Sequence, residues 1–334
     1  VHAEDALEAG AHGVRDRRFG EKWTPAQALK NGFIRSALRG LSFFVDRLPP
    51  GLLLLLCAFA GKVAYRLLGR ARRHVQRRVA ASLPGADANR VARACFENAG
   101  KNLGLSLLLR RRNVRASDFV AFSAASRSVL EQALASGRGA LVVSAHIGPF
   151  EMIPAVLVEH GFSPAVVVRE SYDPALDAAV DAHRRARGVE VIHRGNEHAA
   201  LRIARALRDG RPVGMLLDVR SRGVASTKAR FLGQTVLFPA GVERLASRLR
   251  CAVIVGTLAS RMDGAPSFEL RFETLDGVES SAHLTQRVAH MLSRAILRSP
   301  EHWLWMGPAH VSIADDSASS LFSRVAPSSE LDHA

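Results

Sequence analysis

From Val129 onward the chain alternates short apolar runs with stretches whose apolar residues recur every three or four positions. The runs Leu141–Ala145, Ala165–Val168, Val189–Ile192, Val213–Leu217, Ala252–Leu258 and Phe268–Phe272 have the length and composition of strands. Between them the spacing predicts helices near 151–160, 173–186, 197–209 and 240–249, then a last one near 281–298. In the third of these Ala200, Ile203, Ala204 and Leu207 share a face, and Asn196 stands where an N-cap belongs. Strand and helix in alternation predict an α/β fold: a mixed, mostly parallel sheet flanked by helices.

Upstream the pattern is helical only. Thr24-Pro25 reads as an N-cap followed by Pro at the first helical position, with Leu29, Phe33, Ile34, Leu38 and Leu41 on one face and Pro49-Pro50 as the stop. Gly51 to Gly61 is the most hydrophobic stretch, shorter than a spanning helix needs. Its continuation to Leu68 takes in Lys62 and Arg66. Asp87 can cap a further helix reaching Leu109. The implied organisation is a loosely ordered extension over 1–22, a helical, membrane-associating and basic region over 23–128, an α/β domain over 129–310, and a Ser-, Asp- and Pro-containing tail over 311–334 that reads as disordered.

Charge changes the picture of the helical region. The chain has 46 Lys+Arg against 31 Asp+Glu, a net charge of +15, and nearly all of the basic residues are Arg. Arg forks suit phosphate and carboxylate groups, so an anionic partner is implied. Arg66, Arg70, Arg72, Arg73, Arg77 and Arg78 follow directly on the apolar stretch. That is the pattern of a segment lying in an anionic membrane surface, although a core helix with a solvated basic neighbour would look the same. Few aromatics and no recognition motif argue against nucleic acid. Cys57, Cys95 and Cys251 show neither disulfide nor zinc spacing.

The chemistry is concentrated at His146-Ile147-Gly148-Pro149-Phe150-Glu151, between the strand ending at Ala145 and the helix that follows. His can take and return a proton near neutral pH, and a nearby carboxylate can orient it and stabilise the imidazolium. Five positions apart is no helix-face spacing, so the two meet only if the chain turns at Gly148-Pro149. A solvated His with a first-turn Glu favoured by the helix dipole would carry the same letters. Arg169 and Asp218 each follow the end of a strand, where ligands in open α/β sheets bind. Arg169 suits an anion or developing oxyanion charge, or an exposed ion pair. Asp218 reads as an acceptor-binding group, an organiser of Arg169, or an ordinary turn residue. Arg220 and Arg222 stand in the next loop as substrate-binding candidates. His183, His193, His198 and His310 do not have metal-site spacing, and no cofactor is expected. G-x-S-x-G and P-loop patterns are absent from the sequence.

From about Leu41 to about Trp305 the sequence resembles the lipid A biosynthesis acyltransferases, the late lauroyl/myristoyl transferase family. Ser144 to Glu151 resembles that family's H-x-x-x-x-D/E motif, with Pro149-Phe150 where Asn-Trp is usual. Val167-Val168-Arg169 with Asp173 to Asp177, Arg208 to Gly214 with Leu217-Asp218, Phe231 to Gly241, and Pro300 to Trp305 resemble its later blocks in order. After Trp305 the chain departs from the family, with Met306-Gly307-Pro308-Ala309 in place of a His/Arg-rich ending. The resemblance implies an O-acyltransferase with His146 as general base and Glu151 orienting it, without an acyl-enzyme. Acyl carrier protein would be the donor and a lipid A precursor or related phosphorylated glycolipid the acceptor. It also implies a place on the cytoplasmic face of the inner membrane of a Gram-negative bacterium. A glycerolipid or specialised-lipid acyltransferase, or a non-catalytic membrane-surface protein on the same fold, are the competing readings.

Overall fold

The structure, a computed structural model, describes residues 47–169, 174–194, 198–218, 226–261, 266–275 and 284–307, with scattered positions before residue 47. The helix expected from Thr24 is described only at scattered positions, among them the exposed Leu29 and Phe33. Asn196, Arg220, Arg222, His310 and the 311–334 tail lie outside the described residues.

Three helices come first: α1 (Pro50–Leu67), α2 (Gly69–Ser82) and α3 (Ala88–Leu108). Proline stands at the first position of α1. The Asp87 side chain caps α3 by accepting from the backbone N–H groups of Asn89 and Arg90. α1 packs along α3 at backbone contact. A Cβ on Gly61 would sit 2.2 Å from the carbonyl oxygen of Phe96, and one on Gly100 would sit 2.1 Å from that of Cys57. No side chain fits at either crossing point. The opposite side of α1 exposes Leu52, Leu55, Leu56 and Phe59, and α1 is long and apolar enough to cross a membrane by length and composition.

The remaining elements are β1 (Val120–Phe122), α4 (Ala124–Leu134), β2 (Ala140–Ser144), α5 (Met152–Glu159), β3 (Ala165–Val168), α6 (Pro174–Ala186), β4 (Glu190–His193), α7 (Ala199–Arg208), β5 (Pro212–Leu216), the hairpin β6 (Ser226–Phe231) and β7 (Gln234–Pro239), α8 (Gly241–Leu249), β8 (Ala252–Ser260), β9 (Phe268–Thr274) and α9 (Leu284–Arg298). Seven strands form one sheet in the order β1-β9-β8-β2-β5-β3-β4. Only β8 with β9 pairs antiparallel, so the sheet is mixed and mostly parallel, as the alternation of elements predicts. The six strands expected from apolar runs are present, Ala165–Val168 with the expected ends and the others with ends shifted by at most two residues. Sequence analysis did not anticipate β1, the β6/β7 hairpin, or the two-residue strands Arg15–Asp16 and Glu21–Lys22, which pair with each other.

β2 is buried along its whole length, which is why it reads as an unbroken apolar run. Its alternate residues serve two cores. Leu141 and Val143 join Ile203 and Leu207 of α7, Val288 and Leu292 of α9, Trp303 and Trp305. Ala140 and Val142 join Leu130 of α4 and Met152, Ile153 and Val156 of α5. The two tryptophans are fully buried behind a short 3-10 turn, Pro300–His302. Several arginines have structural duties. Arg187 donates to the carbonyls of Leu109, Arg111 and Val114 and closes the C-terminal end of α3.

Candidate active site

Register brings the site together. β2 and β5 run parallel with Ser144 beside Leu216, and the Leu217 N–H donates to the Ser144 carbonyl at 3.1 Å. Two residues beyond each strand end come His146 and Asp218. The side chains meet there: His146 Nδ1 lies 2.8 Å from Asp218 Oδ1, and the His146 backbone N–H donates to Asp218 Oδ2 at 2.9 Å. Trp303 completes the carboxylate's shell, its Nε1–H donating to Asp218 Oδ2 at 2.6 Å. Asp218 is fully buried.

The turn after His146 is clamped on both sides. Gly148 has φ +59°, and its N–H donates to the His302 carbonyl at 2.9 Å. The Leu304 N–H donates back to the His146 carbonyl at 3.0 Å, and Ile147 forms a bridge with Trp303. The Phe150 ring meets the imidazole edge to face, with centroids 4.7 Å apart.

Burial by itself would lower the His146 pKa. The negative charge of Asp218, its hydrogen bond and the charge of Glu151 outweigh burial and the opposing charge of Arg169, so the value is raised. For Asp218 burial pushes the other way, but the imidazolium charge and the donors of His146 and Trp303 hold its carboxyl below the usual range. The pair therefore favours an ionised Asp218 that accepts from Nδ1–H, leaving Nε2 as the base atom when the ring is neutral.

Glu151 requires a correction to the expected contact. Its carboxylate does not hold His146; Arg184 of α6 takes it in a two-pronged pair, Nη2 to Oε1 at 2.6 Å and Nε to Oε2 at 3.1 Å. The physical reason is placement. Glu151 stands at the mouth of α5 after the Gly148 turn, facing α6, whereas Asp218 is delivered by strand register directly beneath the imidazole. The negative charge of Glu151 raises the His146 pKa. Asp218, for which the acceptor or Arg169 was the expected partner, has its carboxylate against the His146 ring. Arg169 lies exposed just past β3, close enough for its charge to depress the His146 pKa. Sequence reasoning missed Trp303 as a donor to Asp218 and Arg184 as the partner of Glu151. Neither has a local signal, since both contacts join residues far apart in the chain.

Two cavities meet at this turn, each enclosing about 620 Å³ with its open mouth included. The first is walled by Cys95, Ala99, Asn102 and Ser106 along one face of α3, with His146 and His302 opposite. The second is apolar and lies between α5 and the sheet, lined by Val142, Ile153, Leu157, Val166 and Met215. Phe150 and Glu151 border both. Among the described residues no group of three or more His, Cys, Asp or Glu side chains is placed to hold a metal ion. His193 is tied instead to Asp181 at 2.5 Å.

The model of a protein family described as bacterial lipid A biosynthesis acyltransferase matches residues 26–309. No curated protein matches the chain.

Proposed function

Because the chain belongs to the bacterial lipid A biosynthesis acyltransferase family, we propose that it transfers a fatty acyl chain from acyl carrier protein to a hydroxyl of a lipid A precursor or related phosphorylated glycolipid. The observation that carries the reading is the His146–Asp218 pair opening onto a cavity that joins an apolar crevice. His146 Nε2 takes the proton of the acceptor hydroxyl as its oxygen attacks the thioester carbonyl carbon. The tetrahedral intermediate collapses, the C–S bond breaks, and the imidazolium returns the proton to the leaving thiolate. No covalent enzyme intermediate forms.

Asp218 keeps Nδ1 protonated and stabilises the imidazolium, and Glu151 adds its charge. The apolar crevice between α5 and β2, β3 and β5 suits the acyl chain. Arg169 serves as the clamp for a phosphate or the developing oxyanion, and Arg220, two positions after Asp218 in the sequence, contributes a second cation to the acceptor. The exposed apolar side of α1 and the arginines of α2 fit the anionic, cytoplasmic face of the inner membrane.

The test is a transfer assay with membranes, labelled acyl–acyl carrier protein and a phosphorylated lipid A precursor, read by mass spectrometry. His146→Ala should lose on the order of a hundredfold or more in rate. His146-dependent transfer to other membrane lipids but not to this precursor would replace the acceptor. Wild-type-like transfer by His146→Ala would overturn the mechanism.

A further inference from the structure

Arg78 of α2 stands apart from the basic residues around it. Its Nη1 donates to the backbone carbonyls of Trp305 and, at 2.9 Å, Gly307. Its guanidinium carbon lies 5.0 Å from the ring centroid of Trp303 and 5.7 Å from that of Trp305. Burial pulls its pKa down to about 10, against the opposing pull of the charge of Asp218 and of Cys95. Desolvating a guanidinium is costly, and an apolar side chain of similar size would pack here more cheaply. The cation needs a reason.

Trp303 supplies it. One indole presents its N–H to Asp218 and its ring to Arg78. A cation over the ring draws electron density from it and strengthens the N–H as a donor. Among the described residues, the hydrogen-bonding partners of Asp218 are His146 and Trp303, and no Arg or Lys pairs with it directly. Arg78 stands behind the indole and feels the charge of Asp218.

We propose that Arg78 is a positioning residue: through the Trp303 ring it fixes the Asp218 carboxylate and favours the net-negative form of the His146–Asp218 pair, in which His146 is the neutral base. This rests on the reading of His146 as general base. The sign follows from charge. With Asp218 ionised the pair carries one negative charge when His146 is neutral and none when it is protonated. A nearby cation stabilises the first form, so removing it makes His146 hold its proton to higher pH. The other charged groups acting on His146 are Glu151, held by Arg184, and Arg169. Those near Arg78 are Asp218, Cys95 of α3 and His74 of its own helix. All remain when Arg78 is replaced.

The experiment follows the His146 imidazole by NMR in the histidine-labelled full chain in micelles, assigned with His146→Ala. Wild type is set beside Arg78→Lys, Arg78→Met and Arg78→Gln, and the pH profile of kcat for acyl transfer is measured in parallel. In Arg78→Met and Arg78→Gln the ring should titrate at higher pH than in wild type, with Arg78→Lys between them. The acidic limb of kcat should move the same way, with kcat at neutral pH down about tenfold, the size of one charge-assisted contact, and KM little changed. Arg78→Gln keeps donors for the two carbonyls, so it serves even where Arg78→Met fails to fold. A folded Arg78→Gln whose His146 titrates as in wild type overturns the proposal, whatever its activity. A shifted titration in a chain whose wild type transfers no acyl group supports the coupling and sinks the acyltransferase reading instead.

Discussion

Asp218→Asn is the most demanding single test of the site, because the substitution keeps the shape and changes only what the side chain can accept. In the native protein Oδ2 accepts two N–H groups, from the His146 backbone at 2.9 Å and from Trp303 at 2.6 Å, and Oδ1 faces His146 Nδ1 at 2.8 Å. An amide has one oxygen for these two places. Putting it at the Oδ2 position satisfies two buried donors, and the NH2 group then points at Nδ1. The imidazole must accept there and carry its proton on Nε2, the tautomer that cannot act as the base. Turning the amide over restores Nδ1–H but sets NH2 against two donors, each costing about 1–3 kcal/mol. The first arrangement should prevail. Loss of a triad carboxylate by the same change costs roughly 10⁴ in kcat in serine proteases, so a fall of about 10³–10⁴, or ~4–5.5 kcal/mol, is expected here. KM should change little, because Asp218 is buried beneath the ring and lines neither of the two cavities at this turn. The assay is steady-state transfer of a labelled acyl chain, with circular dichroism to show that the variant folds. A folded Asp218→Asn within about tenfold of wild-type kcat would refute the assignment of His146 as a base oriented by Asp218.

Five further outcomes are expected. The His146 pKa is raised above its ordinary value, so kcat should rise with pH along an acidic limb lying above about 6.5. The same shift makes the pair's stabilisation complete below the unfolded histidine pKa and lost as pH rises through the folded value, to be read as a declining midpoint in urea unfolding. Arg184→Met leaves the partly buried Glu151 carboxylate without its two-pronged partner and should cost about 1–3 kcal/mol in denaturant unfolding. Gly100→Ala puts a methyl 2.1 Å from the Cys57 carbonyl and should lower stability by ~1–3 kcal/mol, whereas Gly51→Ala, with open space around it, should not. Replacing Leu55 and Phe59, 65% and 61% exposed, by Gln should leave the melting temperature in place and weaken sedimentation with anionic vesicles by roughly tenfold or more.

The sheet was legible because its central strands are apolar on both faces and bounded by helices of clear period, as at Ala140–Ser144 and Leu284–Arg298. Val120–Phe122 is too short to show a period. Ser226–Phe231 buries only Ala229 and Phe231, and its polar residues disguise the strand. The site divides the same way. His146, Glu151, Arg169 and Asp218 are visible because they sit beside strand ends or in one turn. Which of them touch is decided by the pairing of β2 with β5, and a strand order cannot be read from spacing. The reading of Glu151 as the orienting carboxylate took closeness in sequence for closeness in space, while a partner 72 positions away took the contact. Arg78 was hidden in a run of arginines from which only the third dimension separates it.

The contact between α1 and α3 has a metrical consequence. The face of α3 bearing Cys95, Ala99, Asn102 and Ser106 is one wall of the cavity at His146, and the other side of the same helix rests through Gly100 on the backbone of α1. Two helices held apart by side chains can change their spacing as rotamers change; two that touch main chain to main chain at a glycine have no such adjustable spacer. The gauge of the opening is therefore set on the far side of its wall, by two residues, Gly61 and Gly100, that line neither cavity. Any chain of this kind that must accept a bulkier molecule has to widen it elsewhere, at the turn after His146 or at Leu304.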